Sequence, residues 1–307
     1  MVHKVSIKYY PAQSRKEFRS GLATYDPHTS FNQAIYNTLF RNPEGLVGID
    51  KINIGDLMSG PGRLGIDVIF KRYKEYCTSR QKMPELMITF NDLRQDALNE
   101  AMKGLREVGG KGNTICCDVR EIDRHMQAVL NGVVIRYAIK DLPKYEVGEN
   151  VGVQAIVALN AVRNIMISGS RIVLGEMFSY TLEGQRGFVA IHGGKQILAG
   201  RDANKEGMCH IPTLLEWNEY LTEAGFGDIE VIYKSTSNVK MEQWRGQFGK
   251  EADEDKILAC LREKALKEAK ENPVFAREAR IREVEDENGM KDVEIRFPIA
   301  VFTAVKR

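Results

Sequence analysis

The chain lacks a cysteine framework. Its five cysteines, Cys77, Cys116, Cys117, Cys209 and Cys260, are odd in number and include no C-x-x-C pair. That argues against a disulfide scaffold or a standard structural zinc site and fits a reduced, cytosolic protein. Cys116 and Cys117 fall in an apolar, strand-like run, so core packing is the expected role of both. Long apolar runs are missing too. The longest, Val151–Ile167, is broken by Gln154, Asn160, Arg163 and Asn164, so no membrane insertion is expected. The N-terminal MVHKVSIKYYPAQSRKEF contains no apolar stretch of signal-peptide length. The reading is a soluble, cytoplasmic chain.

An excess of charge is also absent. Lys and Arg total 44 against 42 Asp and Glu, a net charge of +2. This balance provides no broad electrostatic footprint for nucleic acid and argues against it as a partner. Apolar residues make up 43% of 307. That suffices for one large α/β domain with additions, or for two small ones. No repeat, low-complexity tract or long linker divides the chain, which favours one domain.

Strand-like and helix-like stretches alternate. TYDPHTSFNQ (24–33) reads as a loop entering a helix, with Ser30 as N-cap and Phe31, Ile35 and Leu39 on one face. KINIGD (51–56), PELMITFND (84–92), NTICCD (113–118), VVIRYAI (133–139) and RIVLGEM (171–177) read as five successive strands. Helical stretches LGIDVIFKRYKEYC, 93–110 and 149–170 lie among them. The glycine-rich stretch 178–211 reads as an irregular insertion. Thr213 and Glu216 form a capping-box pattern before a helix ending at Gly225. DIEVIYKS (228–235) reads as a sixth strand and 251–271 as an amphipathic helix. A hairpin is expected at 279–297 around Asn288-Gly289, and a last strand at 298–307. The rhythm predicts a doubly wound parallel sheet with antiparallel pairing at one edge. Ligands bind at the carboxyl ends of such strands.

The stretch IGDLMSGPGRLGIDVI (54–69) contains GPGRLG, a G-x-G-x-x-G match at Gly60, Gly62 and Gly65. Asp56 stands ahead of the loop. An anion there would repel the pyrophosphate of NAD, whereas S-adenosylmethionine carries an ammonium and a sulfonium and no phosphate. Asp92 and Asp118 close the next two strand-like runs, so three acids would line one edge of the sheet. Asp92 is placed to accept hydrogen bonds from ribose hydroxyls, and Asp118 to accept from the adenine amino group.

These residues carry a family resemblance. Asp56-Leu-Met-Ser-Gly60-Pro-Gly62-Arg resembles motif I of class I S-adenosylmethionine-dependent methyltransferases, with Met58 where that family usually has glycine. Asn91-Asp92-Leu93 resembles its ribose site and Cys117-Asp118-Val119 its adenine site. Residues 133–143, 168–177 and 216–232 resemble its fourth, fifth and sixth strand regions. The closest flavour is the small-molecule subgroup of ubiquinone/menaquinone-biosynthesis type. The resemblance implies a Rossmann-like, mostly parallel seven-stranded sheet with an antiparallel edge strand, plus insertions. It implies an N-terminal cap or lid (1–50), a core (51–235 and 297–307) and an acceptor-side insertion (178–211). A helix-plus-hairpin insertion (236–296) separates the last two strands. The implied cofactor is S-adenosyl-L-methionine, held by Asp56, Met58, Ser59, Gly60, Pro61, Gly62, Asp92, Leu93, Asp118, Val119 and Arg136, with Tyr25 packing over it.

The acceptor is expected to be a small molecule. The fourth-strand region has Arg136-Tyr-Ala-Ile in place of a [DNS]-P-P-[YF] motif, and no cysteine nucleophile for cytosine. His192 and Tyr180 are the candidates for a general base or an acceptor-orienting group, with His210 and His28 behind them. No metal site is expected, since the His192–His210 spacing matches no standard ligand pattern. A homodimer is compatible with the sequence. Three alternatives stay open: an NAD-dependent oxidoreductase using GPGRLG, an RNA or protein methyltransferase, and a non-catalytic cofactor-binding subunit.

Overall fold

A computed structural model describes residues 29–41, 49–78, 84–139, 142, 151–198, 210–244, 253–285, 289 and 291–307. Among these, eight strands form one sheet. They are β1 (Lys51–Leu57), β2 (Glu85–Asp92), β3 (Lys111–Cys116), β4 (Leu130–Arg136), β5 (Met166–Met177), β6 (Phe226–Lys240), β7 (Arg282–Glu285) and β8 (Lys291–Lys306). The order is β3-β2-β1-β4-β5-β8-β6, with β7 added against β8. Strands β1 to β5 pair in parallel. The antiparallel pairing lies at one edge, as the sequence implies. The antiparallel strand itself, β8, is slotted between β5 and the edge strand β6.

Alternation along the strands builds two cores, one per face. Val133, Ile135, Ile172, Leu174 and Phe302 pack under helices α4 (Val151–Ile165) and α6 (Leu214–Glu223), with Trp217 and Leu221 buried among them. Their neighbours Val134, Val173 and Val301 point to the other face. There they meet α1 (Ser30–Leu39), α3 (Gln95–Glu107) and the helix after β1, which opens as a π-turn at Leu64–Phe70 and continues as α2 (Lys71–Thr78). Each such aliphatic side chain contributes about 1.5–3 kcal/mol on burial. No described helix is long and apolar enough to cross a membrane.

A third core lies beyond the carboxyl ends of the parallel strands. Met177, the last residue of β5, pairs with Ile299. Residues 291–298 of β8 therefore project past β5, and β6 follows them to Lys240. At about 3.3 Å per residue this ribbon rises about 25 Å. Helices α5 (Leu182–Leu198), α7 (Glu254–Glu271) and α8 (Pro273–Ala279) pack on it. Phe188, Phe275, Leu261, Ile295 and Phe297 share that core. The segment after β5 and the segment between β6 and β8 thus form one body.

Several elements differ from their sequence reading. The 178–211 stretch is not irregular throughout, because Leu182–Leu198 is helical. Its glycines serve helix packing: a Cβ on Gly184 would collide with Glu278, and one on Gly187 with Phe275. Strand β5 begins at Met166, where it pairs with Leu130 across a register irregularity, so the preceding helix is shorter than expected. The N-cap of α1 is Thr29, whose Oγ1 accepts from Asn32 N at 3.2 Å. Cys116 is exposed and Cys117 half-buried, because β3 is an edge strand. The capping box at Thr213 and Glu216 forms as read.

Candidate functional site

The loop after β1 is built from unusual backbone. Met58 and Gly60 both have φ of +53°, and Gly62 has φ of +71°. Met58 therefore adopts the left-handed conformation that glycine favours at this place. That strain costs about 1–2 kcal/mol, and the Met58 side chain offsets it by packing against the core beneath the loop. Ser59 N donates to Asn91 O at 2.8 Å and Gly62 N to Ser59 O at 3.0 Å. Ser59 and Pro61 are partly buried, and Gly62 is buried.

Two carboxylates hold the loop from below. Gly60 N donates to Asp92 Oδ2 at 2.8 Å, and Gly65 N donates to Asp56 Oδ2 at 2.8 Å. Asp92 Oδ1 also accepts from Arg94 N at 3.0 Å. Gly65 has no room for a side chain, since a Cβ would sit 2.7 Å from Phe90 and 2.9 Å from Asp56 Oδ2. It is a packing glycine, so the third position of the G-x-G-x-x-G match has a structural origin.

Asp56 is buried at 2% exposure. Desolvation pushes its pKa from 3.8 up to about 7, against the Gly65 N–H and Arg136, with Asp92 raising it further. The folded protein therefore holds a proton that the unfolded chain has released between about pH 4 and pH 7. Stability is largest at the acid end of that window and falls as pH rises through it. At about 1.4 kcal/mol per unit, the ceiling is about 4 kcal/mol. Urea midpoints of wild type and Asp56→Asn at pH 5 and pH 8 check this. Wild type should lose more stability than the variant on going to pH 8; parallel slopes would contradict it.

The end of β3 is set by Asn91, to which the sequence reading gave no role of its own. It is fully buried, and its Nδ2 donates to Ile115 O at 3.0 Å and Cys117 O at 2.9 Å. These bonds fix the end of β3. Burial, with Asp118 next in effect, pushes the Cys117 thiol up to about 11, leaving it a poor nucleophile at neutral pH. Asp118 caps the short turn Val119–Arg124 and accepts from Arg120 N and Nε, both at 2.9 Å, with Arg120 Nη2 on its other oxygen. The sequence reading offered this carboxylate to adenine. The structure gives it a guanidinium as well, which leaves one of about four lone-pair positions. Val119 is buried and Leu93 half-buried beside it in the same row of strand ends.

Arg136 ends β4 and donates from Nη1 to Asn32 Oδ1 at 2.8 Å, joining the sheet edge to α1. Tyr137 follows with φ of +54° and stacks on Phe31 at 5.5 Å and 8°. The structure therefore brings Asp56, the glycine loop, Asp92 and Arg136 to one edge.

The catalytic candidates are more scattered. Tyr180 lies just past β5, 55% exposed, with its ring edge-on to Phe178 at 4.8 Å. Its backbone N donates to Glu278 Oε2 at 3.1 Å, while Ser179 Oγ and Thr181 Oγ1 donate to the same carboxylate. Glu278 of α8 thus fastens the segment carrying Tyr180. His192 lies within helix α5, not in a loop; its side chain is outside the described residues. His210 Nε2 shares a 2.9 Å hydrogen bond with Tyr220 Oη, which draws it toward α6. Tyr25 and His28 lie outside the described residues.

The strand order, with antiparallel β8 between β5 and β6, is that of a Rossmann-like fold of the methyltransferase type. Solved structures share it. A protein of Bacillus halodurans C-125, provisionally named a methyltransferase, aligns with a TM-score of 0.60 at 13% identity, covering 87% of this chain and 98% of that one. The YcgJ protein of Bacillus subtilis aligns with a TM-score of 0.60 at 11% identity, covering 90% and 99%. No protein-family model matches the sequence, and no curated protein matches it.

Proposed function

We propose that this protein is an S-adenosylmethionine-dependent methyltransferase acting on a small-molecule acceptor. One observation carries the reading. The N–H of Gly60, in the loop that a dinucleotide fold turns toward a pyrophosphate, already donates to Asp92, and the N–H of the packing glycine Gly65 donates to Asp56. An internal carboxylate holds the place of the anion. A phosphate brought there would find the Gly60 N–H already taken and would face the Asp92 carboxylate, whereas a cationic, phosphate-free cofactor meets attraction. The fold shared with the Bacillus halodurans protein supports the same reading, and the NAD alternative loses its main feature.

The cofactor supplies an electrophilic methyl group for in-line displacement. This chain's residues hold and orient. Asp92 accepts from the ribose hydroxyls, and Asp118 and the Val119 N–H meet the adenine edge. Met58, Ser59, Gly60, Pro61 and Gly62 let the backbone approach, and Arg136 faces the cofactor carboxylate. Leu93 lines the ribose. The body formed by α5, α7 and α8 stands beside the strand ends as the acceptor wall. Tyr180 there orients the acceptor, and His192 takes its proton where the acceptor must lose one. Orientation alone supplies about 7–11 kcal/mol in reactions of this kind.

Incubation with methyl-labelled cofactor and three separate substrate fractions (small metabolites, RNA, protein) tests the substrate class. Label should enter the small-metabolite fraction; label confined to RNA or protein would overturn this part of the reading.

A further inference from the structure

Glu176 was not singled out by its sequence, yet it is completely buried, at 0% exposure, near the carboxyl end of β5. Its Oε1 accepts two successive backbone N–H groups, from Ala138 at 2.8 Å and Ile139 at 3.0 Å. Those groups belong to the turn that ends β4. Consecutive N–H groups turned to one side form a concave site for an acceptor, and here the protein's own carboxyl oxygen fills it. A buried carboxylate is costly unless its hydrogen bonds are made, so Glu176 and the turn hold each other in one conformation.

That turn has neighbours on three sides. In register, Asp56 of β1 faces Val134 of β4, which sets Arg136 beside the start of the glycine loop. Tyr137, in left-handed backbone, donates its N–H to Gly175 O at 2.9 Å. From the same turn, Tyr137 stacks on Phe31 and Arg136 donates to Asn32, both on α1. The chain thus runs from Glu176 through the turn to the glycine loop on one side and to α1 on the other.

We infer that Glu176 is a positioning residue for the cofactor site. It acts through the turn Arg136–Ile139, whose conformation sets Arg136 against the loop and clasps α1 over the sheet edge. The inference rests on the cofactor reading above, and wild-type binding tests that reading separately.

The experiment is titration calorimetry with S-adenosylhomocysteine on wild type, Glu176→Ala, Glu176→Gln and Glu176→Asp, each measured well below its own Tm. The alanine variant should bind roughly tenfold or more weakly, since two N–H groups lose their acceptor. The glutamine variant should return to within about threefold, because its amide oxygen reaches both N–H groups. The aspartate variant keeps the charge but is one methylene short, and it should bind more weakly than the glutamine variant. Should the alanine variant fail to fold, the glutamine and aspartate pair decides. Wild-type affinity in the alanine variant, or a glutamine variant no better than the aspartate one, would overturn the assignment. If wild type itself fails to bind, the cofactor reading falls and this inference falls with it; if wild type binds and the alanine variant binds equally well, this inference alone falls.

Discussion

Asp92→Ala should cut S-adenosylhomocysteine affinity by more than about 100-fold. Two charge-assisted hydrogen bonds to ribose hydroxyls, at about 1.5–3 kcal/mol each, account for at least about 3 kcal/mol. Loop order is lost in addition, because Asp92 also accepts from Gly60 N at 2.8 Å and Arg94 N at 3.0 Å. Asp92→Asn separates the two contributions. Its amide oxygen keeps the bond to Gly60 N, while the charge and the bond from Arg94 N are lost, so its affinity should fall between wild type and the alanine variant. Calorimetry reads both, and an alanine variant with wild-type affinity would remove Asp92 from the cofactor site.

The second large effect sets two glycines of the same loop apart. A Cβ on Gly62 would lie 2.7 Å from Ala101 Cβ and 2.8 Å from Phe90 Cε1, at a φ of +71°. Both Ala101 and Phe90 are completely buried and have nowhere to retreat. Gly62→Ala should therefore cost about 3 kcal/mol or more, from left-handed backbone strain of about 1–2 kcal/mol and overpacking of about 1–3 kcal/mol. That is a large share of the roughly 5–15 kcal/mol holding a typical domain. A Cβ on Gly60 meets nothing within 4 Å among the described residues. Gly60→Ala should leave stability within about 1–2 kcal/mol, while its methyl group stands where the cofactor approaches and weakens binding roughly tenfold. Denaturant midpoints and calorimetry on the pair distinguish the roles. Equal stability losses in both would contradict them.

Much of this sheet edge was legible because strand ends are marked by acids. Asp56, Asp92 and Asp118 each follow an apolar run, and three in succession place one edge of the sheet. The parallel order and the antiparallel pairing near its edge were legible from the same alternation. Positions that act through backbone contacts were not. Glu176 and Asn91 are single polar residues inside apolar strands, and only the tertiary fold shows which N–H and C=O groups they serve. A polar residue in RIVLGEM or in ITFND is a signal worth reading as a brace for a neighbouring turn. Gly184 and Gly187 look like loop residues until Glu278 and Phe275, about ninety residues away in sequence, are seen to fill the space they leave. Asp118 looked free for adenine because Arg120 two residues on was not weighed as its partner. Met58 looked anomalous by residue type, and its φ of +53° shows that the backbone keeps the glycine shape without the glycine.

The central claim is that the loop at 58–62, with Asp56 and Asp92 beneath it, receives S-adenosylmethionine and not a dinucleotide. Titration of the wild-type protein with S-adenosylhomocysteine and, separately, with NADH tests it most directly. Saturable heat with S-adenosylhomocysteine and none with NADH is the expected result. Binding of NADH alone would contradict it.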